Sequence, residues 1–233
     1  MKLTVTEHRT RHDGRDFRVL RPNPPIRRTT LRDVGDWYML LCTDNGEAMR
    51  LAACWHLAGR PRQSLVHIPL RHDHDSLAQS EDWWPSRLPL DLLLMHHSLQ
   101  VPASQWKPIR ARLDRGRPRT VETGIKPQNE FEHHVSKPWR AHDSIDVLDL
   151  NLHADTLIAT GSEQSLRAGS FLFMQLAIWA PSALRANPSQ GYYSATMHPL
   201  DGLLRHKTGK GMYLIYIDPW LDQQAQPGIQ CGV

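Results

Sequence analysis

The chain has 233 residues, with 28 lysines and arginines against 24 aspartates and glutamates, a formal charge of +4, and 40% apolar residues. That length buries a full core as one large domain or two small ones, and the balance of charged and apolar residues excludes an intrinsically disordered chain. Cys42, Cys54 and Cys231 lie far apart with no C-x-x-C pair, which excludes a disulfide framework and a thiolate zinc finger and fits a reducing compartment.

In chain order, Lys2–Glu7 and Asp16–Leu20 alternate like short strands joined by the turn-prone Asp13-Gly14. Arg21-Pro-Asn-Pro-Pro25 is extended, because proline and the residue before it are barred from helix. Thr30 is placed to cap a helix reaching about Leu41, and Asn45-Gly46 breaks the chain. A second helix is predicted from Glu47 to about Ala58, with Met49, Ala52, Ala53 and His56 on one side. Ser64–Ile68 reads as a strand and Pro69 to Pro89 as a long polar surface loop. Leu90–Leu99 is apolar and ambiguous in type. Pro102-Ala-Ser104 followed by Gln105–Arg115 predicts a short basic helix ending near Gly116.

Residues 116–141 read as a linker or mobile loop between an N-terminal α+β region with a basic arm (1–115) and a C-terminal α+β region (142–233). In the latter, Ser144–Leu152 and Asp155–Thr160 look like strands, Ser162 caps a helix to about Ala180, and Pro181 interrupts it. Tyr192–Met197 and Met212–Ile217 are two further strands. Helices and strands intermix without regular alternation, so the expected class is α+β, with mixed or antiparallel sheets and packed helices. The N-terminus lacks an apolar signal core, and the longest apolar run, Phe171 to Ala180, is broken by Gln175 and is too short to span a bilayer. A soluble cytoplasmic protein without a membrane partner is expected.

Arginine supplies 22 of the 28 basic residues, and it is clustered. Met1 to Arg32 holds nine basic residues against three acids, among them Arg15, Arg18, Arg21, Arg27 and Arg28. Lys107 to Lys126 holds seven against two, among them Lys107, Arg110, Arg112, Arg115, Arg117 and Arg119. A guanidinium is a planar fork that meets phosphate bidentately, which an ammonium cannot do. The leading expectation is therefore nucleic-acid binding, to single-stranded RNA or DNA, in a ribonucleoprotein that includes other protein subunits. Trp106 and Trp139 flank the second cluster and are placed to stack on unpaired bases. That reading requires no cofactor. Residues 141–163 carry five acids and no lysine or arginine, an acidic face able to dock a basic arm, a basic partner or a metal.

Thr208-Gly209-Lys210-Gly211 precedes a strand, and backbone amides at such a turn approach phosphate closely. Gly209, Lys210, Gly211 and the strand after them resemble the glycine-rich loop of CRISPR RNA-processing endoribonucleases of the RAMP type. The resemblance covers about a dozen residues. It implies a ferredoxin-like arrangement in the C-terminal half and metal-free cleavage of RNA.

A phosphodiester-cleaving enzyme is thus the first alternative. His133 or His134, near Lys137 and Arg140, would act as acid–base group in a metal-free version. A metal-dependent hydrolase would use His72 and His74, since an H-x-H pair on an extended chain projects both rings to one side. Ser76 and Leu77 interrupt the longer H-x-H-x-D-H pattern. Asp149, His153 and Asp155 share one predicted strand face and form the other candidate cation set. The second alternative is an interaction or immunity-type module whose arginines meet an acidic protein surface.

Overall fold

The computed structural model describes residues 1–35, 38–61, 64–71, 89–125, 146–199, 203–205 and 210–217. Local chemistry explains the first hairpin. Strands β1 (Lys2–His12) and β2 (Arg15–Pro22) are antiparallel, with His12 opposite Arg15 across a two-residue turn. Asp13 and Gly14 both take positive φ, 48° and 74°, the pair of values that matches the twist of a tight hairpin. Leu3, Val5 and Leu20 point inward from one face, and Phe17 and Val19 from the other.

The helix expected from Thr30 is instead a second hairpin, β3 (Thr29–Asp33) and β4 (Tyr38–Thr43), with Thr29 opposite Thr43. Leu31, Met39 and Leu41 are buried while Thr30, Arg32, Tyr38 and Leu40 beside them are only half-buried, so burial at period two overrides the reading of Thr30 as a cap. Helix α1 (Asn45–Ala58) follows, with Asp44 Oδ1 accepting from the Glu47 N–H at 2.9 Å. Next come β5 (Leu65–Ile68) and β6 (Asp91–His96), both buried along their whole length.

The short helix α2 (Trp106–Ala111) is confirmed, though it ends before Arg115. Part of the expected linker is a strand, β7 (Arg117–Glu122), which pairs with β1. It lies at a sheet edge, where Pro118 removes no necessary donor. The hairpin β8 (Asp149–His153) and β9 (Thr156–Gly161) leads into α3 (Glu163–Ala186), capped by Ser162 and Ser165. Helix α3 runs through Pro181 rather than ending there, and Arg185 Nε donates to the Pro181 carbonyl at 3.0 Å. Strands β10 (Tyr193–Met197) and β11 (Gly211–Tyr216) close the described chain.

The class is α+β. Among the described residues, a seven-stranded mixed sheet runs β7-β1-β2-β5-β6-β9-β8, and a four-stranded mixed sheet runs β10-β11-β4-β3. Both sheets take strands from both sides of the expected linker: β6 pairs in parallel with β9, and β4 in parallel with β11. The two expected regions are therefore interleaved, because sheet pairing is non-local. Helix α1 contacts β5 and β6, and α3 contacts β9, β10 and β11, so one core joins both helices to both sheets. The other face of the large sheet is covered by α2, through Phe17, Val19, Leu65, Leu93, Trp106 and Ile109.

The two long helices meet at a glycine. A Cβ at Gly169 would lie 2.6 Å from a carbon of the Trp55 ring, and Ser170 Oγ donates to the Ala52 carbonyl at 2.8 Å. Trp55 is fully buried and cannot yield. Gly169→Ala gains about 1 kcal/mol of helix propensity yet is expected to destabilise by about 2 kcal/mol net through overpacking. A urea unfolding curve with an unchanged midpoint would contradict this close approach.

Candidate functional site

Strand register gathers the arginines on one face. Arg9 lies opposite Arg18, Arg11 opposite Asp16, Glu7 opposite Arg117, and Val5 opposite Arg119. Directly opposed residues share a face and alternate residues return to it. Arg9, Arg11, Arg18, Arg117 and Arg119 therefore project from one side of β7-β1-β2, beyond the apolar part built by Leu3, Val5 and Leu20. Glu7 sits among them, 4% exposed. Its carboxylate accepts from Arg9 Nε at 3.0 Å and forms ion pairs with Arg18 Nε at 3.0 Å and Arg119 Nε at 3.4 Å. Burial pushes the Glu7 carboxyl up, but the Arg9 hydrogen bond and the charges of Arg18 and Arg119 outweigh it and hold it below the usual range. One anion thus organises three cations drawn from both sequence clusters.

A second site lies on the opposite face, where β2 and β5 end and β6 and β9 begin. Here Arg21, His67, Pro69, Arg71, Pro89, Asp91, Arg110 and Asp155 line an open cleft of ≈ 520 Å³. Asp91 is its anchor. Asp91 Oδ1 accepts from the N–H groups of Leu70 at 3.0 Å and Arg71 at 3.3 Å, and Oδ2 accepts from Arg71 Nε at 3.1 Å and Arg110 Nη1 at 3.2 Å. Burial raises the carboxyl, but His67, the Leu70 N–H and the charge of Arg71 bring it down to about 2. Arg71 Nη1 also pairs with Asp155 Oδ2 at 2.9 Å.

His67 is held between charges. Its Nδ1 accepts from Arg21 Nε at 3.0 Å, so the ring proton of the neutral form sits on Nε2, which faces Asp91 Oδ2 at 3.6 Å. The ring packs edge-on against Trp106, with centroids 4.8 Å apart. Burial, reinforced by Arg21 and Arg110, pushes His67 down to about 4. Nδ1 is thus committed to Arg21 while Nε2–H faces Asp91 beyond hydrogen-bond range, and His67 positions Arg21 rather than taking a proton from a substrate.

The depressed pKa has a consequence for stability. The folded value lies below the ordinary 6.5, so the unfolded chain binds more protons between pH 6.5 and 4. Stability due to this group is complete above pH 6.5 and is lost as pH falls toward 4, up to about 3 kcal/mol. Urea midpoints measured across that window should fall more steeply in the wild type than in His67→Gln. Parallel curves would refute the assignment.

The remaining sequence candidates are dispersed. Arg28 Nε pairs with Asp44 Oδ2 at 3.0 Å, and the Arg27 N–H donates to Glu47 at 3.4 Å, both beside the start of α1. Arg15 donates to the Leu99 carbonyl at 2.7 Å and lies over the Phe17 ring. Arg112 Nη1 is 2.6 Å from His12 Nδ1, while Lys107 and Arg115 are exposed. Lys210 pairs with Asp33 at 3.0 Å, and Gly211 packs against Tyr38 and the Met197 carbonyl.

Trp106 corrects the expectation of base stacking. It is fully buried and donates Nε1–H to Thr156 Oγ1 at 3.2 Å, because α2 needs it to seal the sheet. Asp149, His153 and Asp155 are likewise not assembled around a cation. Asp149 accepts from Asn151, Asp155 turns away to Arg71, and among the described residues no group of three metal-ligating side chains occurs. His72, His74, His133, His134 and Trp139 lie outside the described residues. Burial pushes the Cys42 thiol up to about 11 and the Cys54 thiol up to about 12, so neither is a thiolate nucleophile at neutral pH. Among the described residues no helix is long and apolar enough to cross a membrane.

Sequence reasoning passed over His67, Arg71 and Asp91. The available signal was Asp91 at the head of the apolar run Leu92–Met95, since a carboxylate in a buried strand requires partners. No family model, no curated protein and no solved structure matches this chain.

Proposed function

We propose that this chain binds the phosphate backbone of nucleic acid through the arginine face of β7-β1-β2, as a component of a ribonucleoprotein. The observation that carries the reading is the strand register. It collects Arg9, Arg11, Arg18, Arg117 and Arg119, from two separate stretches of sequence, on one face where Glu7 and Asp16 are the opposing acids. The side chains of Arg9 and Arg119 are more than half exposed, so their charge is presented to solvent while Glu7 holds their bases. An antiparallel edge of this kind offers guanidinium groups at the spacing of successive strands, suited to an extended polyanion.

The test is fluorescence anisotropy with labelled single-stranded RNA, single-stranded DNA and duplex, across a range of salt. Backbone contact predicts a linear fall of log affinity with log salt, with a slope of about −2 to −3.5 for three to five phosphates of a single strand. Affinity independent of salt, or no binding to any of the three, would overturn the reading and favour a protein partner.

A further inference from the structure

Among the described residues, the cleft on the opposite face carries more positive charge than its acids neutralise. Arg21 reaches it from the end of β2, Arg71 from the segment after β5, and Arg110 from α2. Guanidinium groups brought this close repel one another. Asp91 opposes them from within, its side chain 5% exposed, whereas Asp155 stands at the rim, 56% exposed and screened by water. Among the described residues the lining is therefore three cations against two anions, of which only Asp91 is buried.

The donors are also under-used. Arg21 spends Nε on His67, and its two terminal nitrogens have no hydrogen-bond partner among the described residues. The buried Nε2 of His67, 2% exposed, likewise has no acceptor within hydrogen-bond distance. His67 is in turn what aims Arg21, since its Nδ1 fixes the guanidinium by the Nε end and leaves the fork free.

The geometry points to a phosphomonoester dianion as the occupant. A phosphate answers the positive surplus and gives the open fork of Arg21 a bidentate acceptor. A monoester offers three terminal oxygens to forks arriving from three directions, whereas a backbone diester offers two. The volume of ≈ 520 Å³ lies within the range of small-ligand pockets and leaves room for an attached nucleoside. The same chemistry comes from two sources, a free mononucleotide or the phosphorylated end of a strand. The cleft shares its phosphate chemistry with the proposed function, but it uses other residues and stands without it.

Calorimetric titration of the full chain tests this with four probes: uridine monophosphate, and one oligouridylate bearing a 5′-phosphate, a 3′-phosphate or neither. Monophosphorylated probes are expected to bind at least about tenfold more tightly than the hydroxyl-ended oligouridylate, a preference lost in Arg21→Gln. Binding of uridine monophosphate by the wild type identifies the free ligand, and preference confined to a phosphorylated oligouridylate identifies the strand end. Equal affinity for all three oligouridylates, with no binding of uridine monophosphate, would overturn the inference. So would a preference that survives in both Arg21→Gln and Arg110→Gln. The comparison of probes on the wild type decides the matter even if a variant unfolds. Loss of the hydroxyl-ended oligouridylate alone would count against the arginine face and leave the cleft intact.

Discussion

Asp91→Asn is expected to lower the unfolding free energy by about 3–5 kcal/mol, the cost of leaving buried charge without its counter-ion. The side chain is nearly isosteric, and its amide oxygen still accepts from the Leu70 N–H, so shape and one hydrogen bond survive. What disappears is the negative charge against which Arg71 and Arg110 are placed at 3.1 Å and 3.2 Å, with Arg21 and His67 alongside. Asp155→Asn is the matched control. It removes a carboxylate that also meets Arg71, but one at the exposed rim, where less than about 1 kcal/mol is at stake. Urea midpoints at neutral pH read both. Equal costs for the two variants would show that burial of the Asp91 network contributes nothing beyond an ordinary surface pair. The wild type provides a further check, because the Asp91 carboxyl stands at about 2 against an ordinary 3.8. Its contribution is complete above pH 3.8 and is lost as pH falls toward 2.

The second large effect concerns affinity. Arg18→Gln combined with Arg119→Gln removes one guanidinium from each side of Glu7 and one from each arginine-rich stretch. Affinity for a single strand at low salt is expected to fall about a hundredfold, taking each charged contact at about tenfold. The salt slope should flatten by about 1.4, since each phosphate contact on a single strand contributes about 0.7. The matched control is Arg27→Gln with Arg28→Gln, the same change in net charge at the start of α1, where Asp44 holds Arg28. If both pairs weaken binding equally, total charge and not the arginine face governs association. Glu7 keeps Arg9 in the test variant, so the fold retains a partner for its buried carboxylate.

Some of this architecture is written in short stretches of sequence. The β1–β2 hairpin follows from alternation around Asp13-Gly14, and the start of α3 follows from Ser162 and Ser165. In each case the interaction that decides the structure spans a few residues, so a local pattern suffices. β7 failed that test. Its side chains are exposed except Val121, which is half-buried, so Arg117–Glu122 shows no apolar alternation and is a strand only because β1 offers an edge. The β3–β4 hairpin failed for the converse reason: Thr30 and the apolar residues after it carry no local signal that excludes a helix, and burial of Leu31, Met39 and Leu41 in the shared core decided for strands.

By itself, then, the sequence determined an α+β class, the hairpin and capping devices, and an arginine excess confined to two stretches, because each depends on composition or on neighbours along the chain. The tertiary structure alone decided what those arginines do. Pairing of β1 with β2 and β7 set Arg18 and Arg119 on one carboxylate, while β2 and α2 carried Arg21 and Arg110 to the other face. It also buried Trp106 and raised His67 and Asp91 from inconspicuous residues to the anchor of a cleft. The physical reason is that charges act through space at a few ångströms, and the partners of Asp91 come from positions about 20 residues away on either side, which only the packed sheet brings together.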